Sequence, residues 1–368
     1  METSETRIPA PTVAELDATR IASWRRALID KVAKRASFRT ELIDVPESFV
    51  RYLLADGVAC GEEDASLPKR IAQDAFDAKE SAERFGEGCD EADAGDADAT
   101  ARETFENFTR EIGAAIERLG GEVAPKFAWS APKDATWVTA GNTMKCRNAD
   151  EVVLLLKASD SVTHDLTEAY RACVDYVVDE KEDEDDRAVR EHANTALALR
   201  EWYDLNPSME FRCFVKTYNL VAVSQRHVND FYEFLLREKE EIEEAIAEFF
   251  ENEITKHYTG RDYVFDVYVT PKTHKVKIMD FNVWGGTTLP LLFDWNELES
   301  RGSDQDCVPE DERGWTDNVE FRVIQSQGHI RPGLQLGVPF ELYDTSEGGA
   351  ISEFIAMEEQ RRRETNNQ

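Results

Sequence analysis

Two apolar segments joined by a short turn constrain the fold more than any other part of this sequence. The segments are YVFDVY (263–268) and VKIMDF (276–281), and the turn between them runs from Thr270 to Lys275. Runs of β-branched and aromatic residues on either side of a short polar turn are typical of antiparallel strands. The two segments are therefore predicted to pair as a β-hairpin.

The hairpin brings acidic and amide side chains together. Folding about Thr273 sets Asp266 opposite Asp280, and the alternation of side chains along a strand puts Asp280 and Asn282 on one face. Opposite Cβ atoms lie ~5 Å apart, so two carboxylates there repel unless one is protonated or a cation lies between them. Such oxygen ligands suit Mg²⁺, which usually shares its shell with nucleotide phosphates. Hydrogen bonds to nearby backbone or arginine explain these residues equally well.

Periodicity and turn residues predict the other elements. Helices are predicted at 46–57, 103–119, 149–159 and from Asn229 to about residue 255, and strands at 122–129 and 196–202. Asn148 is expected to cap the helix at 149–159, with Glu151 completing a capping box.

Three further segments are predicted without regular secondary structure. The acidic stretch 86–100 is expected to be a disordered linker, and the acidic run 179–186 a solvated loop. The part from about residue 300 is expected to be mostly irregular, with a short helix that ends in the basic EEQRRRE.

Basic residues in otherwise apolar strands are the candidates to meet nucleotide phosphates. They are Lys126, Arg200, Arg212 and Arg226. A three-residue loop, 217–219 with Asn219 in the left-handed region, would place Arg212 and Arg226 on one face of a hairpin with Ser224. Arginine binds phosphate oxygens in pairs, and lysine acts as a point charge. Taken singly, each is more simply explained by an ion pair with one of the surplus acids.

Composition narrows the function classes. The chain has 368 residues and a formal net charge of −32, which argues against a protein that coats nucleic acid. Its six cysteines form no CxxC pair, so neither a zinc site nor a redox motif is indicated. No apolar run resembles a signal peptide or approaches the ~20 residues that span a bilayer. A cytoplasmic monomer with no membrane or nucleic-acid partner is expected.

The sequence lacks the characteristic motifs of several enzyme classes. No GxGxxG or Walker lysine motif is present, and no GxSxG predicts a hydrolase. Asp280-Phe281-Asn282 is similar to the magnesium-binding DFG of protein kinases, but no HRD-type catalytic loop accompanies it.

Four longer segments occur in the order found in the cell division cycle protein 123 family. They are PKFAWSAPKDATW, EFRCFVKTYNLVAVSQRH, YVFDVY and IMDFNVWGG. The similarity runs from about residue 38 to near residue 360, and it includes VPESFVRYLLADG and LLFDWNEL (291–298). Several long motifs in the right order are more specific than any one of them, so the chain resembles this family.

The resemblance implies an α+β, ATP-grasp-like fold, in which two lobes with antiparallel sheets clasp ATP and Mg²⁺. It implies an assembly chaperone that binds the gamma subunit of eukaryotic translation initiation factor 2 and promotes assembly of the heterotrimer, in support of translation initiation and cell cycle progression. No established enzymatic turnover is implied. By the same resemblance the nucleotide-binding positions are Lys126, Trp129, Ser130, Ala131, Arg200, Arg212, Arg226, Asp266, Asp280 and Asn282, the last three being magnesium positions.

Three positions depart from the family pattern. The family commonly has Glu where Ala196 stands, Asp where His227 stands and Pro where Val283 stands. These departures concern the details of adenine or phosphate contacts and leave the Asp, Asn and Lys set intact.

The predicted organisation has four parts. They are a partly disordered lead at 1–37, a first lobe at 38–195 with an acidic disordered insertion at about 60–102, a second lobe at 196–300 that carries the nucleotide and metal site, and an extension at 301–368 that packs on the lobes and ends in disorder.

A second function class stays open. An ATP-dependent carboxylate–amine ligase of ATP-grasp type would use the same metal and phosphate residues to align a phosphoryl group. Fold alone does not decide between a ligase and a chaperone.

Overall fold

The computed structural model describes residues 8–28, 31, 36–55, 91–179, 181–301 and 315–327. The helices are α1 (Val13–Ala18), α2 (Ile21–Leu28), α3 (Glu47–Leu54), α4 (Glu91–Arg118), α5 (Ala149–Lys157), α6 (Asp160–Thr167), α7 (Glu184–Glu191), α8 (Leu235–Phe249) and α9 (Trp295–Glu299). The strands are β1 (Thr40–Asp44), β2 (Val123–Phe127), β3 (Ala196–Glu201), β4 (Glu210–Lys216), β5 (Asn219–Gln225), β6 (Tyr263–Val269), β7 (Val276–Val283) and β8 (Trp315–Arg322). Among the described residues, no helix has both the length and the apolar character needed to cross a bilayer.

The first sheet has three antiparallel strands in the order β1-β3-β2. Apolar residues from this sheet and from helices α3, α4, α5 and α6 form one buried cluster. Lys126 lies on strand β2 of this sheet, and Arg200 lies on strand β3. Strand β3 is the central strand of the sheet, so residues 196–201, which are predicted to lie in the second lobe, pair with strands predicted to lie in the first.

The second sheet has five strands in the order β7-β6-β4-β5-β8 and is covered by α8 and α2. All its pairs are antiparallel except β5 with β8, which run parallel, so this sheet is mixed. Strand β8 falls in the part predicted to be mostly irregular, and this prediction is wrong over 315–322. The predicted C-terminal helix lies outside the described residues.

The β4–β5 hairpin has a different turn from the one predicted. Lys216 pairs with Asn219, so the turn has two residues, Thr217 and Tyr218, both with positive φ. A bulge then leaves Val221 unpaired. The predicted three-residue loop was therefore wrong, but the bulge adds one residue to β5, and Arg212 pairs with Ser224, which puts the two on one face as predicted.

Three helical predictions need correction. Helix α4 begins at Glu91, so the stretch predicted to be disordered is helical from that residue, whereas 56–90 lies outside the described residues. Helix α8 begins at Leu235 rather than at Asn229, and a single π-helical turn, Phe250–Ile254, continues it. The acidic run at 179–186 is helical from Glu184, where acids favour the positive end of the helix dipole.

The N-terminal segment contributes residues to the core of the second sheet. Ile21, Trp24 and Leu28 on α2 are buried in the same cluster as the second sheet. Thr12 caps α1 through a capping box with Glu15. Residues 8–28 therefore pack on the fold, whereas residues 1–7 lie outside the described residues.

Candidate functional site

Strands β6 and β7 bring the predicted carboxylates together. Asp266 pairs with Asp280 across the antiparallel ladder, as predicted, and a register shift follows between Asp266 and Val267. The amide nitrogen of Asn282 lies 3.4 Å from Oδ2 of Asp266. The three predicted magnesium positions therefore do lie at one place on the sheet.

Asp266 is held by two arginines. It is 1% exposed, and Arg212 on β4 donates to both of its oxygens, from Nε at 2.8 Å and from Nη2 at 2.9 Å. Arg226 donates to Oδ2 at 3.1 Å. Burial by itself would raise the pKa of Asp266, but the two arginines outweigh it and hold this pKa well below the usual range. The carboxylate is thus charged and fully engaged.

Asp280 faces the first sheet. Its Oδ2 forms an ion pair with Nζ of Lys126 on β2. Its Oδ1 is buried and has no hydrogen-bond partner among the residues that the structure describes. A buried carboxylate oxygen without a partner is costly, which marks Asp280 as an acceptor for a group that the protein itself does not supply.

Arg200 adds a cation from the central strand of the first sheet. Its Nη2 donates to the carbonyl of Met279 at 2.7 Å, and its guanidinium lies 5.3 Å from the centre of the Phe38 ring. Burial lowers the pKa of Arg200, while Asp280 and Glu210 oppose this shift. The first sheet therefore supplies two cations near Asp280 of the second sheet: Lys126, which pairs with its carboxylate, and Arg200, which binds the carbonyl of the neighbouring Met279.

Sequence reasoning missed Lys133 and Glu210. Repulsion from Arg226, followed by burial, lowers the pKa of Lys133 to about 8, and Glu210, Asp266 and Asp280 oppose this shift. Lys133 lies in the loop SAPKDATW after β2. Within the described part of the chain it has no hydrogen-bond or ion-pair partner for its ammonium group. The sequence feature that could have identified Lys133 is its closeness to Lys126 in the segment PKFAWSAPKDATW.

Glu210 begins β4 and is 6% exposed. Its Oε2 accepts a hydrogen bond from Nη1 of Arg226 at 3.0 Å and lies 3.3 Å from Nε2 of His227. Burial by itself would raise the pKa of Glu210, but His227, Arg226 and Lys133 lower it overall. The sequence feature that could have identified Glu210 is its position two residues before Arg212, which puts both side chains on the same face of the strand.

The loop at 129–131 is tied down within the protein. The backbone N–H groups of Trp129 and Ser130 donate to Oδ2 of Asp165, at 3.0 and 2.7 Å, and Oγ of Ser130 donates to Oδ1 at 3.0 Å. The indole of Trp129 donates to the carbonyl of Leu16 at 2.8 Å. The carbonyl of Ala131 accepts from the backbone of Lys133 at 2.7 Å. These hydrogen bonds shape the turn that follows Lys126, and they occupy the donor groups of Trp129 and Ser130.

The chain matches the model of a known protein family over most of its length. The model of the D123 family matches residues 31–346, which is well over half of the chain. This chain belongs to the D123 family. All the candidate site residues named above lie within the matched range.

Named relatives support the D123 assignment. Cell division cycle protein 123 of Phaeosphaeria nodorum is 37% identical over 323 residues, which cover 87% of this chain and 76% of that protein. A protein of Xenopus tropicalis, named translation initiation factor eIF2 assembly protein, is 35% identical over 323 residues, covering 86% of this chain and 88% of that one.

A solved D123-family structure supports the fold. Cdc123 from Schizosaccharomyces pombe superposes with a TM-score of 0.59 at 26% identity and covers 85% of this chain and 98% of that one. The α+β, ATP-grasp-like fold class predicted from the sequence is confirmed, with the difference that the second sheet is mixed.

The donor set fits a magnesium ion that is shared with phosphates. Among the described residues, no group of three His, Cys, Asp or Glu side chains could hold a metal ion. Magnesium usually takes one or two carboxylates and completes its shell with water and phosphate oxygens. The buried Oδ1 of Asp280 and the amide oxygen of Asn282 match that need, whereas the oxygens of Asp266 are occupied by arginine.

Proposed function

We propose that this protein binds ATP with Mg²⁺ at the Asp280 site and acts as an assembly chaperone for translation initiation factor 2. The observation that carries nucleotide binding is the unpartnered, buried Oδ1 of Asp280 beside Lys126 and Arg200. A magnesium nucleotide supplies a cation for this oxygen and phosphates for the surrounding bases.

The side chains take distinct roles in this proposal. Asp280 and Asn282 hold the magnesium ion, which neutralises phosphate charge when bound. Lys126, Arg200 and Lys133 face the phosphates. Asp266 is assigned a different role from the magnesium position implied by the resemblance, because it holds two arginines by charge-assisted hydrogen bonds.

The role in assembly is supported by the relatives named for it. Curated relatives from Xenopus tropicalis and Sclerotinia sclerotiorum carry the name translation initiation factor eIF2 assembly protein. The family resemblance implies the gamma subunit as the point of contact, with joining of the alpha and then the beta subunit. A net charge of −32 favours encounter with a basic surface on that partner. Bound nucleotide would favour the lobe arrangement that presents the binding surface.

Nucleotide binding is tested by titration calorimetry with ATP, with and without Mg²⁺. Asp280→Asn keeps the side-chain shape but removes the charge, so the gain in affinity on adding Mg²⁺ is expected to fall at least about tenfold. Asp160→Asn changes an exposed carboxylate at the start of α6 and should leave this gain unchanged. An Asp280→Asn protein with the wild-type gain would rule out the metal role.

The partner is tested by retention of the isolated gamma subunit on immobilised protein. Wild-type protein is expected to retain it with magnesium ATP, and Asp280→Asn to retain less. Absence of retention by the wild type would refute the chaperone proposal. Steady ADP release that requires an added carboxylic acid and an amine would favour the ligase alternative instead.

A further inference from the structure

Residues 9–28 form a segment, the N-terminal strap, that lies behind the candidate site and contains none of its residues. It includes α1 and α2. The strap precedes the range of the D123 family match, which begins at residue 31. Its contacts reach both the β7 strand and the turn after β2.

On one side the strap supports β7 from the back. The ring of Trp24 lies 5.3 Å from that of Phe281, and Leu16 shares a buried cluster with Val283. Phe281 and Val283 alternate along the strand with the two candidate magnesium ligands, so the strap packs on the face opposite to them. A shift of the strap would therefore move the ligands.

On the other side the strap holds the turn that follows Lys126. The backbone N–H of Ile21 donates to the carbonyl of Ala128 at 3.0 Å. The indole of Trp129 donates to the carbonyl of Leu16 at 2.8 Å, and the guanidinium of Arg20 lies 4.7 Å from the centre of the Trp129 ring. The cationic half of the site is thus anchored to the same segment as the carboxylate half.

The glycine pair that ends VKIMDFNVWGG makes room for the strap. Gly286 donates its backbone N–H to the carbonyl of Pro9 at 2.8 Å. Gly285 has φ 80°, and a Cβ there would lie 2.0 Å from that carbonyl oxygen. Gly286 has φ 55°, but a Cβ there would meet only ordinary contacts, the nearest being Cδ of Pro11 at 3.4 Å. A side chain is therefore excluded at Gly285 by the strap itself.

We infer that the N-terminal strap is a positioning element of the nucleotide site, with Gly285 as the residue that admits it. The inference rests on the proposed nucleotide function. Docking of the strap sets the two halves of the site at the spacing that magnesium ATP bridges. Because coupling between two equilibria is reciprocal, nucleotide binding must tighten the strap by the factor by which the strap tightens nucleotide binding.

The first test is hydrogen exchange on the full-length wild-type protein, with and without saturating magnesium ATP. Exchange of the amides in residues 9–28 is expected to slow at least about fivefold on binding, although none of these residues belongs to the candidate nucleotide set. The amides of β8 serve as a control and should be unaffected. Bound nucleotide with unchanged exchange in the strap would overturn the inference.

The second test compares Gly285→Ala with Gly286→Ala, two changes at positive φ in the same turn. Gly285→Ala is expected to lower the affinity for magnesium ATP by about 5- to 150-fold and to speed strap exchange. Gly286→Ala carries a similar backbone strain without the collision and should bind as the wild type does. Equal binding by both variants and the wild type would overturn the inference.

The outcomes separate this inference from the function on which it rests. Absence of nucleotide binding by the wild-type protein would overturn both. Normal binding by the wild type, with a strap that does not respond, would overturn only the inference. If Gly285→Ala fails to fold, the wild-type exchange experiment still decides.

Discussion

The two carboxylates at the centre of the site differ in what they can do. Asp266 is saturated by arginine hydrogen bonds, whereas Asp280 keeps one buried oxygen without a partner in the described part of the chain. Two acids that oppose each other in the strand ladder thus have different surroundings: Asp266 binds two arginines, and Asp280 is the one that we propose as a magnesium ligand. The difference comes from neighbours on β4 and β5, because these strands supply Arg212 and Arg226.

Lys133 is expected to contribute to nucleotide binding. Lys133→Gln should weaken binding of magnesium ATP about 10- to 100-fold, since a charge-assisted hydrogen bond contributes ~1.5–3 kcal/mol. The pKa of Lys133 is lowered to about 8 by Arg226 and then by burial, so the free protein loses this charge above that pH. Wild-type affinity should therefore fall from pH 7 to pH 9, as calorimetry would measure.

The matched control for Lys133 is Lys256→Gln, which changes an exposed lysine at the end of the α8 region. It should leave both the affinity and its pH dependence unchanged. An Lys133→Gln protein with the same fall in affinity above pH 8 as the wild type would contradict the assignment.

His192 is expected to make folding sensitive to acid. Burial, and then Arg20, lower its pKa to about 3 in the folded protein, against ~6.5 in an unfolded chain. The unfolded state binds more protons between these values, so the contribution to stability is lost as pH falls from ~6.5 towards 3, by up to ~1.4 kcal/mol per pH unit. His192→Gln should show a smaller loss than the wild type in urea unfolding at pH 7 and pH 5.

The buried carboxylate of Asp165 changes the stability of the fold with pH in the opposite direction to His192, over an overlapping pH range. Burial raises its pKa to about 7, so the folded state binds the extra proton and this contribution falls as pH rises. The effect of His192 must therefore be read as the difference between variant and wild type. His164→Gln is the control, and a pH dependence for His192→Gln identical to that of the wild type would disprove the prediction.

At the scale of single elements, helix α5 shows a cap that differs in detail from the predicted one. Oδ1 of Asn148 accepts from the backbone of Glu151 at 2.8 Å, as predicted. The Glu151 carboxylate, however, accepts from the backbone of Arg147 at 2.6 Å rather than from Asn148. The reciprocal bond thus reaches one residue beyond the cap.

Removal of the Asn148 cap of α5 is expected to lower the stability of the protein modestly. Asn148→Ala is expected to lower the free energy of unfolding by about 1 kcal/mol, because the N–H of Glu151 loses its acceptor. Asn148→Ser retains an acceptor at the cap and should cost only a few tenths of that value. Urea unfolding at pH 7 measures both, and equal losses for the two variants would show that the cap is not the cause.

The β4–β5 hairpin shows why local signals can give the right register through the wrong turn. The apolar pattern sets which residues face the core, and it therefore fixes Arg212 opposite Ser224. The choice between a three-residue loop and a two-residue turn with a bulge depends on contacts outside the hairpin. The N–H of Thr217, for example, donates to Asp262 at 2.6 Å.

At the scale of the whole molecule, the net charge of −32 predicts salt-sensitive association with the initiation factor. Long-range attraction to a basic surface speeds encounter and is screened within ~10 Å at 0.1 M salt. If the gamma subunit is the partner, as proposed, its association rate is expected to fall about tenfold or more between 0.05 and 0.5 M salt, with a much smaller change in the dissociation rate. Stopped-flow mixing measures this, and an association rate independent of salt would exclude electrostatic steering.

The sequence by itself determined the family, the fold class and the pairing of Asp266 with Asp280. Strand periodicity and the order of long motifs carry this information, because both depend on residues close together along the chain. The strands β2 to β7 and the helices α3, α4, α5 and α8 follow from the same local patterns. Boundaries such as the start of α8 were less accurate, since the packing of the helix ends decides them.

Only the tertiary structure decided how the site is built. It assigned Asp266 to two arginines, added Lys133 and Glu210, and brought β8 and the N-terminal strap onto the fold. These features join residues that are far apart in the sequence, and they depend on which side chains share a buried, low-dielectric region. Charge pairing and burial of that kind leave no periodic signal in the sequence, so they are decided when the chain packs.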